Sequence, residues 1–152
     1  MTFEFETTIL PDWIDHNGHM RDSYFGLVFG SAVDCLQDEV GFDEAYPTSS
    51  GCTIYLDEDH KHYLREVKVG AIVRIEAYIL GCDEKRFHLY LQMFDDDQLA
   101  AVCEFMEVHV KQDPHPHAVP MPPHIQSILI KSTLSGQDAQ KLPHRSRQMS
   151  GV

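Results

Sequence analysis

The segment Trp13-Ile14-Asp15-His16-Asn17-Gly18-His19-Met20 sets a carboxylate, two imidazoles and a carboxamide around one glycine. It stands just ahead of an apolar stretch with helical spacing. Side chains of these types serve acid–base and nucleophilic chemistry. The first N–H groups of a helix have no intrahelical partner and favour negative charge. A carboxylate at Asp15 and free amides at Asp22 and Ser23 therefore suit attack on an acyl carbonyl, the amides holding the developing oxyanion. The same residue types also make plain helix caps, and at this level both readings stand.

A second candidate wall lies further along. Ile54, Leu56, Glu58, His60, His62 and Leu64 share one alternating face. If the apolar members face the core, Glu58 and His60 do too, and buried titratable pairs concentrate at functional sites. A bulge in so long a strand would reverse the assignment. Trp13, with Tyr24 and Tyr63, offers aromatic faces beside acidic residues, a setting that suits a quaternary ammonium group. Ordinary packing is the alternative. Six of the twelve basic residues, among them Arg65, Lys85 and Arg86, fall between positions 61 and 86. They can hold phosphates or simply keep a sheet face solvated. His16 with His19, and His60 with His62, have the spacing of metal-ligand pairs, but no third ligand joins them at convincing spacing, so no metal is expected.

These residues need elements to position them. Phe3, Phe5 and Thr7 alternate with acidic or polar neighbours, which predicts a strand over 3–9 that Pro11 closes. Phe25, Val28, Phe29, Ala32, Val33, Leu36 and Val40 form one apolar helical stripe, with Gly41 at the C-cap position. Residues 42–51 are a loop. Strands follow over about 52–67, 71–80, 86–94 and 99–111, and the first is long enough to need a bend or bulge. Short turns between them make them antiparallel neighbours. The fold class is α+β, an antiparallel sheet wrapped around one long helix. A domain over 1–113 is expected to precede a Pro/His-rich linker, a short helix near 124–134 and a flexible polar tail to 152. Exposed sheet edges favour a homodimer.

Composition narrows the classes. The chain has 152 residues and a formal net charge of −12. That balance argues against nucleic acid and anionic membranes as partners. No apolar run is long enough to span a membrane, and the first residues lack a signal-peptide pattern, so the cytoplasm is the expected location. The four cysteines form no CxxC pair and are expected to be reduced.

The order strand–helix–four strands resembles the hotdog fold. The run from Asp15 through Gly18-His19 into the helix is similar to the Asp-x-x-Gly-His motif of the 4-hydroxybenzoyl-CoA thioesterase group. A closer resemblance is to the betainyl-CoA thioesterases of carnitine breakdown. It is carried by Pro11 to Met20, His60, Tyr63-Leu64-Arg65-Glu66, Asp83, Lys85-Arg86, His88, Glu104 and His109.

The resemblance implies an acyl-CoA thioesterase with Asp15 as nucleophile or base and an oxyanion donor near Asp22. It also implies a dimer or dimer of dimers with sites at the interface, and no cofactor beyond the CoA of the substrate. His60 and Asn17 would orient water or Asp15. Trp13, His19, Arg21, Tyr24 and Glu58 would line the substrate, and Arg65, Lys85 and Arg86 would hold the CoA phosphates. Arg21 and Phe25 depart from the pattern, where many relatives carry Asn and a second tyrosine. Two other activities fit the same fold: a catalytically silent acyl-CoA-binding module, and hydration or dehydration of an acyl-CoA.

Overall fold

Seven apolar residues at helical spacing decide where the long helix sits. In the computed structural model, which describes residues 2–147 and 149, α1 (Asp22–Val40) buries Phe25, Val28, Phe29, Ala32, Val33, Leu36 and Val40. Gly41 ends the helix with φ 110°, and its N–H bonds the carbonyls of Gln37 and Asp38. Only glycine takes that conformation without strain.

The sheet that receives this stripe contains β1 (Phe3–Thr8), β2 (Cys52–Tyr63), β3 (Ile72–Cys82), β4 (Arg86–Asp95), β5 (Gln98–Lys111) and the two-residue β6 (His117–Ala118). The order is β1-β3-β4-β5-β2, every pairing is antiparallel, and β6 sits on β5. Val73, Ile75, Ile79, Leu89, Leu91, Cys103 and Phe105 point at α1 and complete one core with it. This is the hotdog arrangement. Within 42–51, read as loop from sequence, a single helical turn forms, α2 (Tyr46–Ser50). Among the described residues no helix is long and apolar enough to cross a membrane.

One irregularity redirects the chemistry. The β2–β5 register shifts between Leu56 and Glu58, so Asp57 is an extra residue. Such a bulge turns every later side chain to the opposite face. Leu56 pairs with Glu107 on the helix side, but Glu58 pairs with Met106 and His60 with Glu104 on the outer side. Asp59, Lys61 and Tyr63 take the helix-facing positions opposite Phe105, Cys103 and Ala101. The expectation that Glu58 and His60 face the core is therefore corrected: both are exposed on the outer face.

The chain beyond Asp113 is part of the same packing. α3 (Pro123–Ser132) places Ile125 and Leu129, with Met121 before it, in the common core. A Cβ at Gly41 would meet Ile125 Cδ1 at 3.3 Å, so the glycine also admits α3. Leu134 then donates to the Ile79 carbonyl at 2.8 Å, and α4 (Gly136–Ala139) follows. The segment after it crosses the outer face of the sheet. Tyr90 donates to the Pro143 carbonyl at 2.7 Å. Glu104, buried, pairs with His88 at 2.9 Å, accepts from the Ser146 amide at 2.9 Å and pairs with Arg145. The flexible tail read from composition is, over the described residues, a strap whose partners lie far back in the sequence.

The strap makes a measurable contribution. Burial pushes the Glu104 carboxyl up, but bonds from His88, Ser146 and Arg145 outweigh it and hold the group below its ordinary 4.5. The stabilisation is complete above that ordinary value and is lost as pH falls through the lowered one. Arg145→Ala should cost about 1.5–3 kcal/mol, the range for a hydrogen bond to a charged group. Urea unfolding checks this. Its acid-unfolding midpoint should also rise in pH, because Glu104 loses a group that holds its carboxyl down, and amide exchange over 139–147 should quicken.

Candidate active site

A tight loop carries the first candidate residue into α1. One 3-10 turn, Pro11–Trp13, is followed by an antiparallel bridge between Ile14 and Met20. Inside it the Asp15 amide donates to the His19 carbonyl at 2.9 Å, and Gly18 makes the turn with φ 82°. Two further bonds fix the loop: the Met20 amide to the Val67 carbonyl at 2.7 Å, and the Arg21 amide to the Trp13 carbonyl at 2.9 Å.

Asp15 Oδ1 accepts from the amides of Asn17 at 2.9 Å and His19 at 3.3 Å. Desolvation raises the Asp15 carboxyl, but these two amides, aided by the nearby imidazoles of His16 and His19, bring it below the usual aspartate value. Its amide partners lie in the loop, not in α1, so Asp15 is not the helix cap. Oδ2 has no hydrogen bond among the described residues.

The helix start is correspondingly open. Arg21, at the N-cap, provides no side-chain cap. The Ser23 amide is taken by Asp22 Oδ1 at 2.8 Å, and the Tyr24 amide by the Arg21 carbonyl at 2.9 Å. The Asp22 amide has no acceptor among the described residues. Of the two amides expected to hold an oxyanion, Asp22 is available and Ser23 is occupied.

Asp15 and Asp22 share a cavity of about 380 Å³ with Phe25, Tyr63, Arg65 and the His19–Glu66 pair. His19 Nε2 lies 2.9 Å from Glu66 Oε2. Phe25 and Tyr63 meet edge to face at 5.2 Å between centroids. The cavity is thus acidic and aromatic, and Arg65 is the cation on it.

Other expected residues lie elsewhere. Trp13 and Tyr24 stack on each other at 5.8 Å, 17° from parallel, so their faces do not open into this cavity. The Asn17 and Arg21 side chains are exposed and do not line it. Glu58 and His60 are on the far side of the sheet, for the reason given above. His60 lines a separate outer-face cavity with His62, Ser146 and Arg147. Lys85 and Arg86 form the β3–β4 turn, where Arg86 pairs with Asp83 at 3.0 Å. Arg86 stands opposite Val108, whereas Tyr63 stands opposite Ala101, so the turn is at the other end of the sheet. Sequence spacing read Phe25 as core, and only the resemblance set it near the acyl pocket; the Glu66 contact, which depends on how β2 ends, had no sign in the sequence. Among the described residues no three His, Cys, Asp or Glu side chains are grouped to hold a metal ion.

Known proteins share this architecture. The thioesterase-like superfamily matches residues 9–129. A betainyl-CoA thioesterase of Pseudomonas aeruginosa is 39% identical over 111 residues, 72% of this chain and 70% of that protein. An L-carnitine dehydrogenase/betainyl-CoA thioesterase of Agrobacterium fabrum is 35% identical over 139 residues, 91% of this chain but only 28% of that longer protein. A match of that length extends past Pro120, so α3 has a counterpart there. A hypothetical protein of Staphylococcus aureus, solved in complex with CoA, superposes with a TM-score of 0.82 at 25% identity, over 96% of this chain and 94% of that one. With the family matched across most of its length, this chain belongs to the thioesterase-like superfamily.

Proposed function

We propose that the protein hydrolyses a small cationic acyl-CoA thioester, betainyl-CoA first among them, and works as a cytoplasmic homodimer in carnitine breakdown. The observation that carries the reaction is the pairing of Asp15 with the start of α1 across one cavity. One carboxylate oxygen is fixed by loop amides, and among the described residues neither the other oxygen nor the Asp22 amide on the same cavity has a hydrogen-bond partner.

The thioester carbonyl is placed between Asp15 Oδ2 and the Asp22 amide. The ionised carboxylate drives attack on the carbonyl carbon, and the negative charge that gathers on oxygen is held by the amide and the helix N-terminus. The C–S bond then breaks, CoA leaves as thiolate and takes a proton, and water supplies the second oxygen of the free acid. The charge of the acyl group is read by the carboxylates of Asp22 and Glu66 and the rings of Phe25 and Tyr63, a setting that favours a quaternary ammonium. This replaces the Trp13–Tyr24 cage expected from sequence. Arg65 is the cation on the cavity that suits a CoA phosphate.

The relatives support the acyl group, and the CoA complex of the Staphylococcus aureus protein supports CoA. The dimer reading rests on β2, an end strand of the sheet, where Tyr55, Leu56 and Tyr63 are exposed beside the exposed Leu27 of α1. Four free cysteines agree with a reducing compartment.

Asp15→Asn and Asp15→Ala should lower kcat by about 10²–10⁴, the usual share of a positioned carboxylate, with unchanged circular dichroism. Near-normal turnover in both would remove Asp15 from the reaction. His60→Ala should keep kcat/KM within about twofold of the parent, since it faces away from the cavity. Betainyl-CoA should exceed its neutral isostere, 3,3-dimethylbutanoyl-CoA, by about tenfold in kcat/KM, or roughly 1.4 kcal/mol. Equal rates would discard the cationic acyl group. Sedimentation equilibrium should give twice the 17.4 kDa chain mass.

A further inference from the structure

The outer face of the sheet carries a cavity that the proposed reaction does not use. It measures about 280 Å³ and is lined by His60 and His62 of β2 and by Ser146 and Arg147 of the strap. Two features of the fold bring these residues together. The extra residue at Asp57 turns His60 and His62 outward, opposite Glu104 and Val102 of β5. The buried Glu104 then anchors the strap beside them, accepting from the Ser146 amide at 2.9 Å and pairing with Arg145. His144 and Arg147 flank that anchor. The ring of His62 lies 4.9 Å from that of His60 and 5.5 Å from that of His144, centroid to centroid. His144 takes a left-handed φ of 53°, which is uncommon outside glycine.

Charge decides what such a cavity suits. The chain carries a formal net charge of −12, yet no carboxylate is among the described residues that line this cavity. Of the acids on the neighbouring strands, Glu104 is taken up by His88, Arg145 and the Ser146 amide, and Glu58 is exposed to solvent two positions before His60. Arg147 has no ion pair among the described residues. Its permanent charge opposes a metal ion on the imidazoles beside it and favours an anion. A guanidinium fork and several ring N–H groups match the many acceptor oxygens of a phosphate better than the two of a carboxylate. The volume falls just below the range of pockets for larger organic ligands, about 300–1,000 Å³, and suits a compact anion.

We propose that this cavity binds a diphosphate group, held between His60 and His62 of β2 and Arg147 of the strap, on the face of the sheet away from Asp15. The site does not depend on the thioesterase reading, and it is separate from Arg65, which lies on the helix-side cavity. The anion joins the strap to β2 and so adds to the hold of Glu104. Burial, with the neighbouring His60, His144 and Arg147, keeps the His62 imidazole below its ordinary value, and Glu104 acts the other way. A bound anion favours the imidazolium, so binding takes up protons and tightens as pH falls from about 8 to about 6.

Isothermal titration calorimetry with inorganic pyrophosphate tests this. The parent should bind, and affinity should fall about tenfold or more in Arg147→Gln and in His62→Gln, the effect of losing one hydrogen bond to a charged group. Arg65→Gln should bind as the parent does. Equal affinity in the parent, Arg147→Gln and His62→Gln overturns the proposal, as does a loss confined to Arg65→Gln or no binding by the parent. Amide exchange reads the strap directly. Pyrophosphate should slow exchange over 139–147 in the parent and leave it unchanged in Arg147→Gln; no slowing in the parent overturns the bridge between strap and β2. ADP distinguishes the sources of the group: tighter Arg147-dependent binding than pyrophosphate supports a nucleotide ligand, and equal or weaker binding supports the free anion.

Discussion

The burial of α1 against a single concave sheet is the constraint on which the remaining structure depends. The helix offers one apolar stripe, and the sheet offers one apolar face. Their contact leaves the N-terminal end of the helix and one flank open, while α3 closes over the C-terminal end. The uncovered N-terminus is where a helix has unpaired amides, a setting that favours negative charge. The loop that carries Asp15 reaches that end because it joins the edge strand β1 directly to α1.

Three carboxylates, two on the helix side of the sheet and one on its outer face, differ in how they are held. Asp15 is pinned by amides and stays ionised. Glu104 is enclosed by a histidine, an arginine and an amide and serves stability. Glu107 is buried beside Asp34, and both burial and that neighbouring charge raise its carboxyl. Three acids thus sit in three environments: one fixed by loop amides, one enclosed under the strap, one buried beside another acid.

Much of this was legible in the sequence, for reasons that differ by element. The α1 stripe and its glycine stop were read residue for residue, because helical periodicity and the C-cap are local. The strands over 72–82, 86–95 and 98–111 were read closely for the same reason. The face of Glu58 and His60 was not, because one extra residue in β2 inverts it and no residue type near Asp57 announces a bulge. The tail was missed because what orders it is non-local: Glu104 and Tyr90 are buried polar groups on β5 and β4, and composition around Pro143 to Ser146 says nothing of them. The Trp13–Tyr24 pair was legible as aromatic neighbours, but the stack that closes their faces on each other is a property of packing.

The strap also orders events in time. Glu104 emerges from the ribosome forty-one residues before Arg145, and Tyr90 fifty-three before Pro143. The helix-facing core can close around α1 once β5 and α3 are made, but the outer face of β4 and β5 stays bare until the last stretch is synthesised. During that interval the growing chain presents an unfinished sheet surface bearing His88, Tyr90 and Glu104. The polar character of those three residues keeps that surface hydrated, and so less adhesive than an apolar one, until the strap arrives to cover it.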